Sequence, residues 1–383
     1  MGLHYSPKIS SNGLVLSYDV SDNVNCYKGE PTTNYYNDFA PWVANSGYNI
    51  DISGQISVPI PESKTWMFVK TGEDSQWNGW EGTYGVFNGS SGDYWTISYW
   101  YKTTNNISNL STLNFYVGDW SRPYNTTSIT QNNTLIADGK WHYNYSTIQF
   151  NESYSGAIIV DGPSWNYSTS SGIMYINGLQ WEKKSHPTNY VSGNRSTTNS
   201  LLDISGKNNT LNLNNISFDS NKKIYFDGTN DCINITDNNG SLGLTSVLTI
   251  EAIVKPNNVS SNGNIFSCNY NSGYRMRINT DNKAWIYFNG NTINGGYCPL
   301  NEYSHIVGTG DSSGLKLYVN GVLVSYNSTP LNSQIGGSIY VGSSTGSHEF
   351  FNGYIDIVRV YNRALNSYEV INNFSNFKLK FDI

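Results

Sequence analysis

The chain has 383 residues, of which 14 % are aromatic and only 13 % are charged, and its net charge is −6. This length exceeds what one hydrophobic core usually serves, which predicts two domains. The acidic balance argues against nucleic acid or an anionic membrane surface as a partner, because both require clustered lysine and arginine. No run of residues approaches membrane-spanning length and no apolar leader follows Met1. We therefore expect no membrane insertion and no secretion signal.

Strand patterns dominate the first half of the chain. Residues 94–101, 113–117 and 156–160 carry aromatic and branched residues between turns rich in Gly, Asn and Pro, which is typical of short antiparallel strands. Ten of the eleven tryptophans lie between Trp42 and Trp181. This Trp-rich segment therefore predicts a β-sandwich of its own.

The second half repeats the strand pattern with little tryptophan. Strand-like runs occur at residues 223–226, 248–254, 274–278, 284–288 and 315–319, and residues 367–374 favour a short helix. Strands that recur at this spacing are expected of a sandwich or barrel. The predicted fold class is all-β, with two antiparallel β-sandwiches of the jelly-roll type.

Four spaced motifs in the second half carry a family resemblance. They are residues 226–231 (FDGTND), 248–256 (LTIEAIVKP), 317–321 (LYVNG) and 351–365 (FNGYIDIVRVYNRAL). Together they resemble the laminin-G/concanavalin A-like jelly-roll family over roughly the last half of the chain. The resemblance implies two stacked antiparallel sheets of about a dozen strands. Ile253 stands where many relatives carry Trp, which retains an apolar side chain and loses an aromatic one.

The start of the chain resembles the same family. Residues 12–19 (NGLVLSYD) are similar to the opening strand of such domains in phage structural proteins, where a segment similar to residues 202–209 follows soon after. We therefore expect residues 1–29 to supply an arm and the first strand, residues 30–195 to be an insertion, and residues 196–383 to complete the domain. Two consecutive domains with an unrelated N-terminal arm remain an alternative.

The expected insertion resembles the carbohydrate-binding-module jelly rolls that are common in phage tail proteins. Residues 95–102 (WTISYWYK), 138–142 (DGKWH) and 176–184 (INGLQWEKK), which run into residues 187–191, carry this resemblance. It implies a second sandwich that can bind sugars.

No catalytic constellation is readable in the sequence. The Glu-x-Asp-x-x-Glu motif of concanavalin-like glycosidases is absent, and Asp227, Asp231, Glu251 and Asp356 form no same-face pair by spacing. The five histidines are isolated from one another and from cysteine, which gives no support to a catalytic triad or a zinc site. We expect a protein that is not an enzyme and needs no cofactor.

The four cysteines are far apart and form no CxxC pair. Buried free thiols are expected, and one disulfide remains an alternative.

The resemblance to laminin-G-like and sugar-binding jelly rolls also implies a bound calcium ion, as an alternative to a domain without metal. The candidate calcium ligands are Asp203, Asp227 and Asp231.

Sugar binding requires flat aromatic rings beside side chains that form hydrogen bonds with hydroxyl groups. In the first domain we expect such aromatics in loops, where an exposed aromatic ring is unfavourable unless it binds a partner. In the second domain the candidates lie near strand ends. The candidate glycan-binding residues are Trp77, Trp80, Tyr84, Trp120, Arg122, Tyr124, Tyr270, Arg275, Trp285 and Asn289. The alternative is that most of these aromatics fill a core or a subunit interface.

The domain combination is typical of tailed-phage virion proteins, either tail fibres or capsid-surface decorations. The predicted function is a virion structural protein whose lectin-like sandwiches attach to host-surface glycans or to neighbouring virion subunits. Its expected partners are other virion proteins, a host glycan and further copies of itself, at a virion surface assembled in the host cytoplasm. A purely structural assembly protein is one alternative, and a polysaccharide depolymerase is another.

Overall fold

The computed structural model describes residues 9–36, 47–70, 81–103, 114–119, 122–123, 126–131, 135–161, 172–244, 246–259, 261–331, 336–381 and 383. The chain divides into two compact units. Unit 1 combines Met1–Pro31 with Ser196–Ile383, and unit 2 is the intervening Thr32–Arg195. The expected insertion at residues 30–195 thus differs from unit 2 by two residues at one end.

The strands are numbered along the whole chain. The first belongs to unit 1 and is β1 (Leu14–Asp19). Those of unit 2 are β2 (Thr32–Thr33), β3 (Gly47–Asp51), β4 (Thr65–Lys70), β5 (Glu81–Gly89), β6 (Tyr94–Thr103), β7 (Asn114–Asp119), β8 (Arg122–Pro123), β9 (Thr126–Gln131), β10 (His142–Phe150), β11 (Tyr154–Asp161), β12 (Gly172–Glu182) and β13 (Asn194–Arg195).

The remaining elements belong to unit 1. They are β14 (Thr210–Asn214), β15 (Ser217–Phe218), β16 (Ile224–Asp227), β17 (Cys232–Thr236), β18 (Leu248–Asn258), β19 (Gly263–Cys268), β20 (Tyr274–Ile278), β21 (Lys283–Phe288), β22 (Asn291–Tyr297), β23 (Ser304–Asp311), β24 (Gly314–Val319), β25 (Val322–Asn327), β26 (Ile339–Val341), β27 (Asn352–Tyr361) and helix α1 (Ser367–Phe381).

Unit 2 is built from antiparallel sheets. Six strands pair in the order β3-β4-β12-β6-β10-β9, four in the order β5-β11-β7-β8, and β13 pairs with β2. Trp66, Trp95 and Trp181 are buried in its core together with Ile97 and Tyr99. These three tryptophans, none of which is a predicted site residue, fill the core of unit 2.

Unit 1 has two antiparallel sheets. The first has eight strands in the order β15-β16-β27-β18-β23-β24-β25, with β1 also paired to β27, and the second has seven in the order β14-β17-β26-β19-β20-β21-β22. Ile250 and Val358 of the first sheet share one core with Met276 and Ile286 of the second. The described part of unit 1 thus has fifteen strands, three more than the dozen that the resemblance implies.

Helix α1 covers the other face of the eight-stranded sheet. Phe377 packs against Ile253 and Ile357 in one small cluster, and Val370 packs against Tyr361 in another. Ile253 is fully buried, as its apolar character predicts, but it faces the helix instead of the main core. The helix starts at the predicted residue and continues to Phe381 instead of ending at residue 374.

Two further expectations concern the cysteines and the membrane. All four cysteines are buried free thiols, and burial raises the pKa of Cys26 to about 11. Among the residues that the structure describes, no helix is long and apolar enough to cross a bilayer.

Candidate functional site

The seven-stranded sheet of unit 1 has a polar, aromatic face opposite its core. On β21, Ala284, Ile286 and Phe288 are buried in the core, while Trp285 and Tyr287 between them are partly exposed. Successive side chains of a strand point to opposite faces, so this alternation places the two rings on the outer face. Their planes lie 11° from parallel, with ring centroids 5.9 Å apart.

Strand pairing aligns one residue from each of the seven strands on this outer face. We call these seven residues the cross-strand row: Asn212, Asn234, Tyr340, Ser267, Arg275, Tyr287 and Thr292. Neighbouring strands are about 4.8 Å apart, so six intervals make the row roughly 29 Å long. The next register position on β20, β21 and β22 aligns Arg277, Trp285 and Asn294. The face therefore carries amides, hydroxyls, guanidiniums and rings in fixed order.

Two arginines lie over the aromatic rings of this face. The guanidinium carbon of Arg275 is 4.2 Å from the ring centroid of Tyr270 and 5.1 Å from that of Tyr287. The guanidinium carbon of Arg277 is 4.0 Å from the ring centroid of Trp285. Such cation–π contacts hold a flat guanidinium in place and leave the N–H groups in its plane able to donate hydrogen bonds.

Glu349 joins the two arginines. Its Oε1 accepts a hydrogen bond from Arg277 at 2.8 Å, and its Oε2 lies 3.5 Å from Nη1 of Arg275. The backbone of Glu349 has φ +52°, and its carbonyl oxygen accepts the N–H of Asn264 at 3.0 Å. A left-handed backbone is uncommon outside glycine, so the fold holds this carboxylate in place at a local conformational cost. Burial lowers the pKa of Arg277, and Glu349 opposes that shift.

Three buried polar atoms beside the row have no hydrogen-bond partner within the described residues. They are Nε of Arg275, Oγ of Ser267 and Oδ1 of Asn264. Arg275 is only 8 % exposed and Ser267 is fully buried. Buried polar groups are normally satisfied by protein or water, so these three atoms are exceptions within the described residues.

The structure brings together three of the four site residues predicted in the second domain. Tyr270, Arg275 and Trp285 form one contact cluster, since the guanidinium carbon of Arg275 also lies 5.2 Å from the ring centroid of Trp285. Asn289 lies in the turn between β21 and β22, where its backbone N–H donates to the carbonyl oxygen of Gly273. It borders the cluster and is not within it.

Only some of the site residues predicted in the first domain lie within the described residues. Tyr84 lies in β5 and Arg122 in β8, so the expectation that they occupy loops is wrong: β5 and β8 pair with neighbouring strands and extend the regular sheet into those positions. Trp77, Trp80, Trp120 and Tyr124 lie outside the described residues. Their assignment to a glycan site stays a prediction.

Sequence reasoning missed Arg277, Tyr287 and Glu349. Arg277 and Tyr287 could have been predicted from the sequence, because they follow Arg275 and Trp285 by two positions and therefore share a strand face with them. Glu349 was not, because it comes from a loop before β27 that is distant in sequence from β20.

The candidate calcium ligands mostly accept backbone hydrogen bonds. Asp203 accepts the N–H groups of Ser17 and Asn209, Asp227 accepts that of Thr229, and Asp231 accepts that of Asp227. In the described ranges, no group of three or more His, Cys, Asp or Glu side chains is placed to hold a metal ion. The involvement of calcium stays a prediction.

Glu251 lies in a buried network beneath helix α1. Its carboxylate accepts hydrogen bonds from Tyr361 and Asn373 and lies 2.8 Å from Nε2 of His305. Burial opposes ionisation, but the hydrogen bond and charge of His305, together with Arg359, hold the pKa of Glu251 well below its usual range. Glu251 is fully buried, so its carboxylate cannot reach a polysaccharide from solvent in this structure.

The C-terminal region matches a known family. Residues 227–371 match the model of the concanavalin A-like lectin/glucanases superfamily. The C-terminal region is therefore a concanavalin A-like domain, as its motifs predict. Much of the site, from Tyr270 to Glu349, lies within the matched segment. No curated protein sequence matches the chain significantly.

Several solved structures are similar to part of the chain. The receptor binding domain of botulinum neurotoxin D is 16 % identical with a TM-score of 0.40, over 48 % of this chain and 52 % of that one. The botulinum neurotoxin serotype D ligand binding domain in complex with N-acetylneuraminic acid is 16 % identical with a TM-score of 0.39, over 47 % and 49 %. The receptor binding domain of botulinum neurotoxin type G is 17 % identical with a TM-score of 0.37, over 46 % and 48 %. The chain thus spans about half the length of these structures.

Proposed function

We propose that this protein binds extended glycans on the outer face of the seven-stranded sheet, along the cross-strand row and the neighbouring Trp285. The observation that carries the proposal is the contact cluster of Arg275, Arg277, Trp285 and Tyr287 fixed by Glu349. Sugars present apolar C–H faces that pack on rings and hydroxyl groups that pair with fixed donors. A rigid cluster that offers both loses little conformational freedom when a ligand binds.

The extent of the face favours a chain of sugars over a single ring. The row runs roughly 29 Å across the strands, and its members alternate in character from the amides of Asn212 and Asn234 to the ring of Tyr340 and the hydroxyl of Thr292. Ser267 near the centre of the row is fully buried, so a chain of sugars would contact the more exposed members on either side of it. The proposal assigns no catalytic step to the chain.

We further propose that the biological setting is the surface of a tailed-phage virion, assembled in the host cytoplasm with other virion proteins and further copies of this chain. This part is supported only by the resemblance of residues 12–19 and of the Trp-rich segment to phage structural proteins. In that setting the glycan would belong to the host envelope, and the protein would serve attachment.

The test is a screen of the full chain against an array of bacterial surface polysaccharides, followed by titration of any hit. We expect Trp285→Ala to weaken binding about tenfold or more, because truncating a central aromatic contact commonly costs more than about 1.4 kcal/mol. Arg275→Lys should weaken binding as well, since an ammonium cannot reproduce the flat donor set.

The matched control is Tyr368→Ala, which removes an aromatic ring that is 77 % exposed on helix α1. It should bind like the unmodified chain. If no polysaccharide on the array binds, or if a hit binds equally well to Trp285→Ala, the proposed glycan site is wrong. Electron microscopy of the particle would examine the virion setting separately.

A further inference from the structure

A recess lies in unit 1 at the eight-stranded sheet, where the end of helix α1 meets β27. It encloses about 270 Å³. The walls combine the apolar surfaces of Val20, Tyr303 and Phe381 with the charged groups of Lys223, Asp356 and Lys380. The rings of Tyr303 and Phe381 pack with centroids 4.9 Å apart. None of these residues belongs to the glycan face described above.

A β-bulge directs Asp356 into this recess. On the neighbouring strand β18, Ile253 pairs with Ile357 and Val254 pairs with Ile355, which leaves Asp356 as the extra residue of β27. Bulges re-aim a side chain and are common beside functional sites. Asp356 is 3 % exposed, and burial raises the pKa of its carboxyl group.

The carboxylate of Asp356 is only half satisfied. Its Oδ2 accepts the hydroxyl of Tyr303 at 2.7 Å, whereas its buried Oδ1 has no hydrogen-bond partner within the described part of the chain. A buried acceptor without a partner is costly. A hydroxyl group that reaches this oxygen from the recess would therefore relieve that cost.

The two lysines differ in their pairing. Lys380 binds Asp19, with 2.8 Å between Nζ and Oδ2. Lys223 is exposed at the rim, and its ammonium makes no ion pair with any residue that the structure describes. The recess thus offers one buried acceptor, one uncommitted cation and two aromatic rings.

We propose that this recess binds a single acidic sugar, a hydroxylated ring that carries one carboxylate. A ring hydroxyl donates to Oδ1 of Asp356, the carboxylate pairs with the ammonium of Lys223, and the C–H face of the ring packs on Tyr303 and Phe381. Pockets for drug-sized ligands usually measure roughly 300–1,000 Å³, so a volume just below that range suits one sugar ring. A simple anion would leave the Asp356 oxygen unpaired, and a neutral sugar would leave Lys223 unpaired.

The probe is sodium glucuronate, titrated calorimetrically into the full chain, with glucose and sodium acetate as ligands that each carry one half of the recognised chemistry. We expect glucuronate to bind with one-to-one stoichiometry and the other two to bind at least about tenfold more weakly, since each lacks one of the two contacts with a charged group of the recess. Lys223→Met should weaken glucuronate binding about tenfold. Asp356→Asn should weaken both glucuronate and glucose.

Lys207→Met is the matched control, because Lys207 is exposed in the same unit and lies outside the recess. It should leave glucuronate binding unchanged. Lys223 lies at the surface, so its variant tests the idea even if Asp356→Asn does not fold. The proposal is overturned if glucuronate does not bind, or if Lys223→Met binds it as the unmodified chain does. Trp285→Ala should not affect this binding, which separates the recess from the glycan face.

Discussion

Glu349 is the residue on which the proposed glycan face, the cross-strand row with Trp285, depends. One carboxylate pairs with both Arg275 and Arg277. The two guanidiniums both lie over the ring of Trp285 and would otherwise repel each other. A glycan site of this kind needs the donors in place before the ligand arrives, because ordering long side chains on binding costs affinity.

We expect Glu349→Ala to lower the free energy of unfolding by about 2 kcal/mol, because it removes a charged acceptor and leaves Arg275 largely buried without it. Urea unfolding followed by circular dichroism measures this change. Glu302→Ala is the control, since Glu302 is exposed and a surface substitution of this kind changes stability by about 0.5 kcal/mol or less. Equal effects of the two substitutions would contradict the assigned role of Glu349.

We expect a substitution of Glu251 to destabilise the protein more than one of Glu349. It is fully buried among His305, Arg359, Tyr361 and Asn373. We expect Glu251→Ala to cost about 3–5 kcal/mol, because removing one partner leaves buried polar groups and a guanidinium without compensation. Thermal and urea unfolding give the value. A loss below about 1 kcal/mol would show that the network can rearrange around the gap.

Part of the candidate site could be predicted from the sequence, residue by residue. Tyr270, Arg275 and Trp285 were predicted because aromatic and basic residues near strand ends suggest sugar contacts, and the guanidinium of Arg275 does contact both rings. The partners that fix them were not predicted, because Glu349 approaches from a loop with a left-handed backbone. Such a contact depends on tertiary packing that no local pattern encodes.

Helix α1 shows how an element begins. Asn366 accepts the N–H of Glu369 with its side chain, and Glu369 accepts the N–H of Asn366 in return. This reciprocal pair is a capping box, which satisfies two backbone donors at the helix start. Arg363 adds two hydrogen bonds to the same Glu369 carboxylate. The helix start was predictable from these local residues.

The end of the helix was not predictable in the same way. The predicted helix ended at residue 374, but Phe377 is buried against the eight-stranded sheet and Phe381 packs on Tyr303. Lys378 and Lys380 in the last turn also suit the negative end of the helix dipole. Packing of these later residues therefore extends the element beyond its local pattern.

Stability should depend on pH through the capping box. The hydrogen bonds from Arg363 are the largest cause that lowers the pKa of Glu369 from 4.5 to about 2. Between these values the unfolded chain binds more protons, so the stabilisation present above about pH 4.5 is lost as pH falls toward 2. Urea unfolding at several pH values should show this slope, and Glu369→Gln should reduce it. An unchanged slope in the variant would contradict the assignment.

On the scale of the molecule, the chain ends of unit 2 lie side by side. Thr32 pairs with Arg195 and Thr33 with Asn194 across β2 and β13, so the first and last residues of unit 2 are neighbours. Paired residues in antiparallel strands have Cα atoms about 4.5–5.5 Å apart. The resemblance of residues 12–19 to an opening strand predicted such an insertion, and β1 pairs with β27 of unit 1. No local pattern revealed the sheet order within unit 2.

We expect unit 1 to fold without unit 2. Replacing residues 32–195 by a short Gly-Ser linker should yield a soluble protein with a single cooperative thermal transition, because the linker need span only a short gap. Circular dichroism and size-exclusion chromatography follow the outcome. The complementary experiment expresses residues 32–195 alone and examines them by the same two methods. Aggregation of the linked unit 1 under conditions in which the full chain is soluble would contradict the prediction.

The pairing of β1 with β27 also affects the order of events during synthesis. Tyr18 on β1 donates a hydrogen bond to the carbonyl oxygen of Ile355 on β27, 337 residues later. A ribosome releases the chain from its N-terminus, and domains generally fold as units as they emerge. Unit 2 therefore has all of its strands available while unit 1 still lacks its closing strand. β1 therefore cannot form its sheet pairing until β27 has been translated.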